Sequence, residues 1–374
     1  MDEINGIKLI EAVNKKMERV RTKSLDLSFN ELTDMYAGKE LIINPAYQRL
    51  FRWSEGQQSR FIESLILEMP IPPIFVIEDK LGQFELIDGL QRIASFLHFR
   101  GQHPEYKDEN QFLKLSECDI VAELNGHTFC SLPKPLEIRL KRSFVRVEVL
   151  REESDNRLRY YMFKRLNTGG EKLSQQEIRN CTIRLLDSKF NDFLIKLSQD
   201  ANFINCIKNL SEEKIEEKGD QELVLRFFAF KNYRQKYVHD VADFMTEYME
   251  SVSDPDNMDV LFDYDTEESC FRSTFVVLNK TLGEHSFSGT NEHGSLISRF
   301  LSYHYEAFAL GIQKYLNQID QNDQAKIVEL KNMFIEIKRS GGFQDMTKGG
   351  GKNYAKPLND RIEYVENALA KLFL

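Results

Sequence analysis

Between Leu41 and Phe99, short apolar runs alternate with longer periodic ones, which reads as strand, helix, strand, turn, strand, helix. Leu41 to Ile43 is strand-sized and stops at Asn44-Pro45. Ser54 with Gln57 three residues on is a capping box, and Phe61, Ile62, Leu65, Ile66 and Met69 recur behind it at helical spacing as far as Pro70. Ile74 to Ile77 and Phe84 to Ile87 are strands around a turn at Asp79 to Gly82. Asp88-Gly89 then opens a helix whose apolar side carries Ile93, Ala94, Phe96 and Leu97.

Gln102 to Asn110 is polar and reads as a loop, while Val145, Val147 and Val149 alternate with Arg146 and Glu148 as in a half-buried strand. Ser154 caps a helix through Leu158, Tyr161, Met162 and Leu166 that stops at Asn167-Thr168-Gly169-Gly170. A second capping box, Ser174 with Glu177, starts a helix running through Ile178, Leu185 and Leu186. Beyond residue 200 the pattern is helical, with helices expected near 221–236, 239–252, 269–282, 295–317, 323–338 and 357–373. Phe227, Phe228 and Phe230 read as core, and no internal repeat is found. The expected fold class is α+β, a small mixed α/β region followed by a mostly α-helical one.

Length and composition narrow the class. With 374 residues, 41% of them apolar, the chain can bury sizeable cores. No apolar run reaches the roughly 18 residues of a membrane helix, and Asp2, Glu3, Lys8 and Glu11 break up any signal-peptide pattern, so no membrane association and a cytoplasmic location are expected. The five cysteines are widely spaced without a Cys-x-x-Cys pair, and the seven histidines are scattered, which gives no support for a zinc site or a His-centred nuclease. The glycine-rich stretch Lys348 to Asn353 lacks Walker spacing, with Met346 and Asn353 where Gly and Ser or Thr are needed.

Charge is unevenly spread. The net value is -9, yet Lys134 to Arg184 holds 13 basic against 7 acidic residues, a local +6 that leaves -15 elsewhere. Glu212 to Glu222 and Glu250 to Glu268 are acidic stretches, read as solvated loops and helix faces. A nucleic-acid contact on such a chain is local or supplied by a partner.

Three clusters carry candidate chemistry. Asp88-Gly89-Leu90-Gln91-Arg92 follows a strand and opens a helix, so first-turn amides, the glycine's freedom and the Arg92 fork all suit a phosphate. The alternative is that Asp88 is an N-cap and Arg92 a surface ion pair. Tyr47-Gln48-Arg49 and Arg52-Trp53 follow the first strand; Gln48 and Arg49 suit a phosphate, while the sole tryptophan suits packing on the next helix better than base stacking. Asn167 to Gly170 with Arg179 is either a ligand-facing loop or a helix connector, and its basic setting favours the former. Among carboxylates, Asp88 is the best candidate metal holder or base, with Glu177 behind it. No residue set is assigned as a metal site on spacing.

Pro45-x-Tyr47-Gln48-Arg49 with Trp53, the stretch "SLILEMPIPP" from Ser64 to Pro73, Ile87-Asp88-Gly89-x-Gln91-Arg92 and "FKRLNTGGEKLSQQEIRN" together resemble the N-terminal domain of the GmrSD family of modification-dependent restriction systems, which is similar to the ParB/sulfiredoxin fold. The resemblance implies a nucleotide-binding domain that hydrolyses an NTP with a divalent ion, expected as Mg2+, in defence against foreign, often modified, DNA. By position, Asp88, Gln91 and Arg92 would be catalytic. Gly89, Tyr47, Gln48 and Arg49 would bind nucleotide or phosphate, with Asn167, Thr168, Gly169, Gly170 and Arg179 closing the site. Leu90 departs from the family's usual Gln. The HNH nuclease region of two-domain members has no counterpart after residue 200, where His239, His285, His293 and His304 lack its context.

The expected organisation is a ParB-like lobe over 1–110, a second lobe over 111–200 that completes the site, and a helical domain over 201–374. The leading functional expectation is an NTP-binding and NTP-hydrolysing component of an anti-phage restriction system that couples nucleotide state to DNA recognition or cleavage, with a nuclease subunit as partner and an oligomer as a plausible state. The alternatives are a nuclease or nickase using the same site, and a non-catalytic module binding DNA or a partner.

Overall fold

The computed structural model describes residues 22–43, 51, 53–106, 108–151, 174–257 and 260–373. The chain forms two compact units, Met1–Glu171 and Lys172–Leu374. The first is the mixed α/β part and the second is mostly helical, as the patterning predicts.

The first unit runs β1 (Thr22–Ser28), α1 (Phe29–Ala37), β2 (Leu41–Ile42), α2 (Glu55–Ile66), β3 (Ile74–Glu78), β4 (Phe84–Asp88), α3 (Leu90–Phe99), α4 (Lys134–Arg142) and β5 (Phe144–Leu150). Its strands form one sheet in the order β1-β5-β3-β4-β2. β1 with β5 and β3 with β4 are antiparallel, whereas β5 with β3 and β4 with β2 are parallel. The alternation in β5 sets the faces: Val145, Val147 and Val149 are at most 1% exposed while Phe144 and Arg146 face solvent. Phe29, Phe61, Ile62, Leu65, Ile93, Phe96 and Leu97 fill the core, with the Phe29 ring 5.0 Å from Phe96 and 5.8 Å from Phe61.

The local signals act as chemistry requires. Ser54 Oγ accepts from the Gln57 amide and Gln57 Oε1 accepts from the Ser54 amide, so α2 begins at its capping box. It ends at Ile66 rather than Pro70. The amides of Glu68 and Met69 turn back to the carbonyls of Leu65 and Ser64, Glu68 takes φ +58°, and Met69 is left 44% exposed. Proline disfavours helical backbone in the residue before it, so the helix closes early. β1, α1 and α4 are unheralded in the patterning; Leu25 and Leu27 of β1 are only half-buried, which leaves its alternation faint.

The second unit contains α5 (Gln175–Thr182), α6 (Lys189–Ser198), α7 (Ala201–Cys206), α8 (Glu212–Glu216), α9 (Gly219–Asn232), α10 (Val241–Ser253), α11 (Tyr264–Thr281), the hairpin β6 (Ser288–Thr290) and β7 (Leu296–Phe300), α12 (Ser302–Gly311), α13 (Gln324–Arg339), α14 (Gly341–Thr347) and α15 (Ala355–Phe373). The second capping box starts α5, which ends at Thr182, short of Leu185 and Leu186. The helix expected over 295–317 is corrected: residues 296–300 are β7, and α12 starts at Ser302. Asn291 explains the difference, because its Oδ1 accepts the amides of His293 and Ser295 while Gly294 takes φ +72°, a turn that aligns β7 with β6. The helix expected through Leu158 to Leu166 lies outside the described residues.

The second core is aromatic, with Phe203, Phe227, Phe228, Phe230, Phe271 and Phe275 at 1% exposure or less. Beside it lies a buried charge cluster. Glu306, 1% exposed, accepts from Arg226 at 2.9 Å and Arg361 at 2.5 Å, and Arg361 stacks 4.4 Å from the Tyr303 ring. Among the described residues Arg361 has that one carboxylate as its ion-pair partner, while Arg226 also pairs with Glu222 at 3.6 Å. Glu306→Ala is therefore expected to destabilise the fold by about 3 kcal/mol or more; urea denaturation reads this, and a shift under about 1 kcal/mol would contradict it.

Candidate functional site: the Asp88–Arg92 corner

The site begins in a hairpin. Asp79 Oδ1 accepts the amides of Leu81 and Gln83, each at 2.8 Å, which turns β3 into β4. Pairing then shifts between Phe75 and Val76: Phe75 faces Asp88 and Val76 faces Leu86, so Ile87 is the extra residue of a bulge. Such a bulge re-aims the end of a strand.

Gly89 follows with φ +107° and ψ +11° and serves as N-cap of α3. A Cβ there would sit 2.8 Å from Ile74 Cγ1, so both backbone and packing demand glycine. Gly89 has no side chain with which to cap the first turn of α3, whose dipole puts its positive end at the corner.

Arg92 organises this corner from inside. Its Nη2 donates to Asp88 Oδ2 and its Nη1 to the Pro72 carbonyl, both at 2.6 Å, with its side chain only 10% exposed. The sequence pointed to Arg92 as a fork onto phosphate; in the structure the fork holds Asp88 and the segment entering β3. The Asp88 side chain is 35% exposed, and its Oδ1 has no partner among the described residues.

Gln91 connects this corner to the turn before α2. The Trp53 amide donates to Gln91 Oε1 at 3.2 Å, and the Trp53 carbonyl accepts from Gln58 Nε2 at 2.8 Å. The Trp53 ring meets Phe61 edge-on at 5.8 Å, the packing role expected for it. The chain of bonds continues inward, from Gln58 Oε1 to His98 Nδ1 at 2.8 Å and from His98 Nε2 to the Gln111 carbonyl at 2.7 Å. Patterning had no means of finding this line, because its members are up to 58 residues apart.

The remaining candidates fall elsewhere. Tyr47, Gln48 and Arg49, and Asn167, Thr168, Gly169 and Gly170, lie outside the described residues. Arg179 belongs to the second unit and is 2% exposed. Its guanidinium donates to Thr246 Oγ1, Gln176 Oε1, Glu222 Oε2 and the Ala242 carbonyl. It is thus engaged in packing α5 against α9 and α10. Glu177 is 2% exposed, with its Oε2 closing the α5 capping box. Among the described residues no cluster of three His, Cys, Asp or Glu could hold a metal ion, and no helix is long and apolar enough to cross a membrane.

A strand ending in a bulge, a left-handed glycine and the start of a helix meet at this corner, with a carboxylate at its lip. Residues 29–184 match the model of the GmrSD restriction endonuclease N-terminal domain, and this segment is a GmrSD-type N-terminal domain. The match ties the chain to restriction systems. No curated protein and no solved structure matches it.

Two stability tests follow. Gly89→Ala is expected to cost about 1–3 kcal/mol from the left-handed backbone, before the clash with Ile74 is added; an unchanged denaturation midpoint would contradict the corner. His103 packs 4.9 Å from Tyr106 and 6.2 Å from His98, and burial, then the neighbouring His98, pushes its pKa down to about 4. The unfolded chain therefore takes up the proton first. Stability is present above pH 6.5 and falls toward pH 4, by about 2 kcal/mol at pH 5 from this group. Urea denaturation at pH 7 and pH 5 should show the difference shrink in His103→Phe; an equal difference would exclude His103 as its source.

Proposed function

We propose that the first unit binds a nucleoside triphosphate at the start of α3 and hydrolyses it with a divalent cation. In this reading the protein is a component of an anti-phage, modification-dependent restriction system that couples nucleotide state to DNA recognition or cleavage, with a nuclease partner. The observation that carries it is the juxtaposition of the N-terminal end of α3, entered through the left-handed Gly89, with Asp88, whose Oδ1 is unpaired among the described residues. First-turn amides favour phosphate oxygens. Asp88 repels them unless a cation lies between.

Mg2+ fits that donor set, since it is commonly held by one or two carboxylates with the nucleotide's own phosphates and water completing its shell. Bound there, it would neutralise phosphate charge. Arg92 acts in this reading as a positioning residue, fixing Asp88 against Pro72. Gln91 ties the corner to Trp53, so the turn before α2 shares its geometry. Gly89 lets a ligand approach the backbone where a Cβ would intrude.

Phosphate release across a panel of NTPs with Mg2+ tests this reading. The wild type should turn over at least one nucleotide, and Asp88→Ala should lower that rate roughly 100-fold or more while calorimetry still detects a folded protein. No turnover of any NTP, or equal turnover in Asp88→Ala, would overturn it. Mg2+-dependent nicking of plasmid by the pure chain, lost in Asp88→Ala without NTP turnover, would favour a nuclease instead.

A further inference from the structure

A groove of about 870 Å³ lies in the first unit where α4 passes into β5, and it shares with the Asp88 corner only the segment that leads into β3. Its apolar part includes Pro70, Ile71 and Ile138, with Met69 left outside its helix and Phe144 69% exposed at the start of β5. Its cations are all arginines: Arg139, Arg142 and Arg146. The exposed Phe144 and the three guanidiniums sit within a stretch of eight residues, so the turn from α4 into β5 delivers them together.

Charge distinguishes this place from the rest of the chain. From Lys134 to Arg146 there are five cations and one carboxylate, Glu137, in a chain whose net charge is -9. Glu137 is shared by Lys134 at 2.8 Å and Lys141 at 2.7 Å, which hold its carboxyl down to about 2. Arg139 pairs with Glu68 at 3.6 Å and Arg146 forks onto Asp26 at 3.1 and 3.2 Å, all with side chains about half exposed or more, and both carboxylates also line the groove. The single-contact Arg139–Glu68 pair contributes about 0–1 kcal/mol, so a phosphate displaces it easily, whereas the forked Arg146–Asp26 pair is the firmer of the two. Arg142 is exposed and has no ion pair among the described residues.

We propose that this groove binds an unpaired nucleic-acid strand, one base stacked on Phe144 and its flanking phosphates held by Arg139, Arg142 and Arg146. Charge complementarity selects a polyanion. Planar guanidiniums and an exposed aromatic ring select bases and phosphodiesters over the carboxylates of an acidic peptide, because both surfaces stack on a base and the fork takes two phosphate oxygens. The assignment rests on the reading of DNA as a partner but not on NTP hydrolysis.

Fluorescence anisotropy with a labelled single-stranded oligonucleotide, its duplex and a poly-glutamate competitor tests it, with phosphate release followed in parallel. The wild type should bind the single strand more tightly than the duplex. Phe144→Ala should weaken that binding roughly 5- to 100-fold. Arg142→Ala should lower the slope of log K against log salt by about one contact, while Arg142→Lys restores the slope. Both sites are exposed, so thermal unfolding should match the wild type, and phosphate release should be unchanged. Strand binding equal in wild type, Phe144→Ala and Arg142→Ala would overturn the groove and leave DNA as partner. No binding to either DNA would overturn the DNA reading as well, and poly-glutamate binding in its place would assign the groove to an acidic protein.

Discussion

The ion pair between Arg92 and Asp88 is the constraint on which the geometry of the strand-to-helix corner depends. It spans one helical turn, yet through the second arm of the guanidinium it also holds Pro72, so the end of β4, the start of α3 and the approach to β3 are one rigid object. A buried guanidinium with two strong acceptors is satisfied electrostatically, and the carboxylate it holds keeps one oxygen toward solvent. That division explains how a helix start can present a carboxylate beside the positive end of its dipole without collapse. Without Arg92, Asp88 could turn back to cap α3 itself and close the corner.

Around that pair the two units solve stability differently. The first builds on a five-stranded sheet and uses alternation in β5 to separate a valine face from an exposed one. The exposed face is what permits Phe144 and Arg146 to stand in solvent on the same strand that carries three core valines. The second relies on interlocking phenylalanines and on one carboxylate shared by two arginines. Arg179 is engaged inside this packing, on Thr246 and the Ala242 carbonyl.

Much of this was legible locally. Ser54 with Gln57 and Ser174 with Glu177 are reciprocal hydrogen bonds within four residues, so sequence spacing determines them. Asp88-Gly89 was readable as a strand-to-helix corner because only glycine tolerates its backbone comfortably. What patterning misses is the destination of long polar side chains. Arg92 reaches a carbonyl 20 residues earlier and Arg179 a carbonyl 63 residues later, so both looked available for phosphate when read by spacing. Leu296 to Phe300 looked helical for a related reason: five mostly apolar residues fit either period, and the deciding contact was the Asn291 turn. The groove beside α4 also escaped notice, since it needs Met69 to leave its helix early.

Whether nucleotide phosphate meets the first turn of α3 is read by hydrogen exchange of the intact protein, with and without a non-hydrolysable NTP analogue and Mg2+. Exchange should slow at the amides of Leu90, Gln91 and Arg92, and the slowing should be abolished in Asp88→Ala. Slowed exchange confined to other segments, with these three amides unchanged under saturating nucleotide, would contradict that contact.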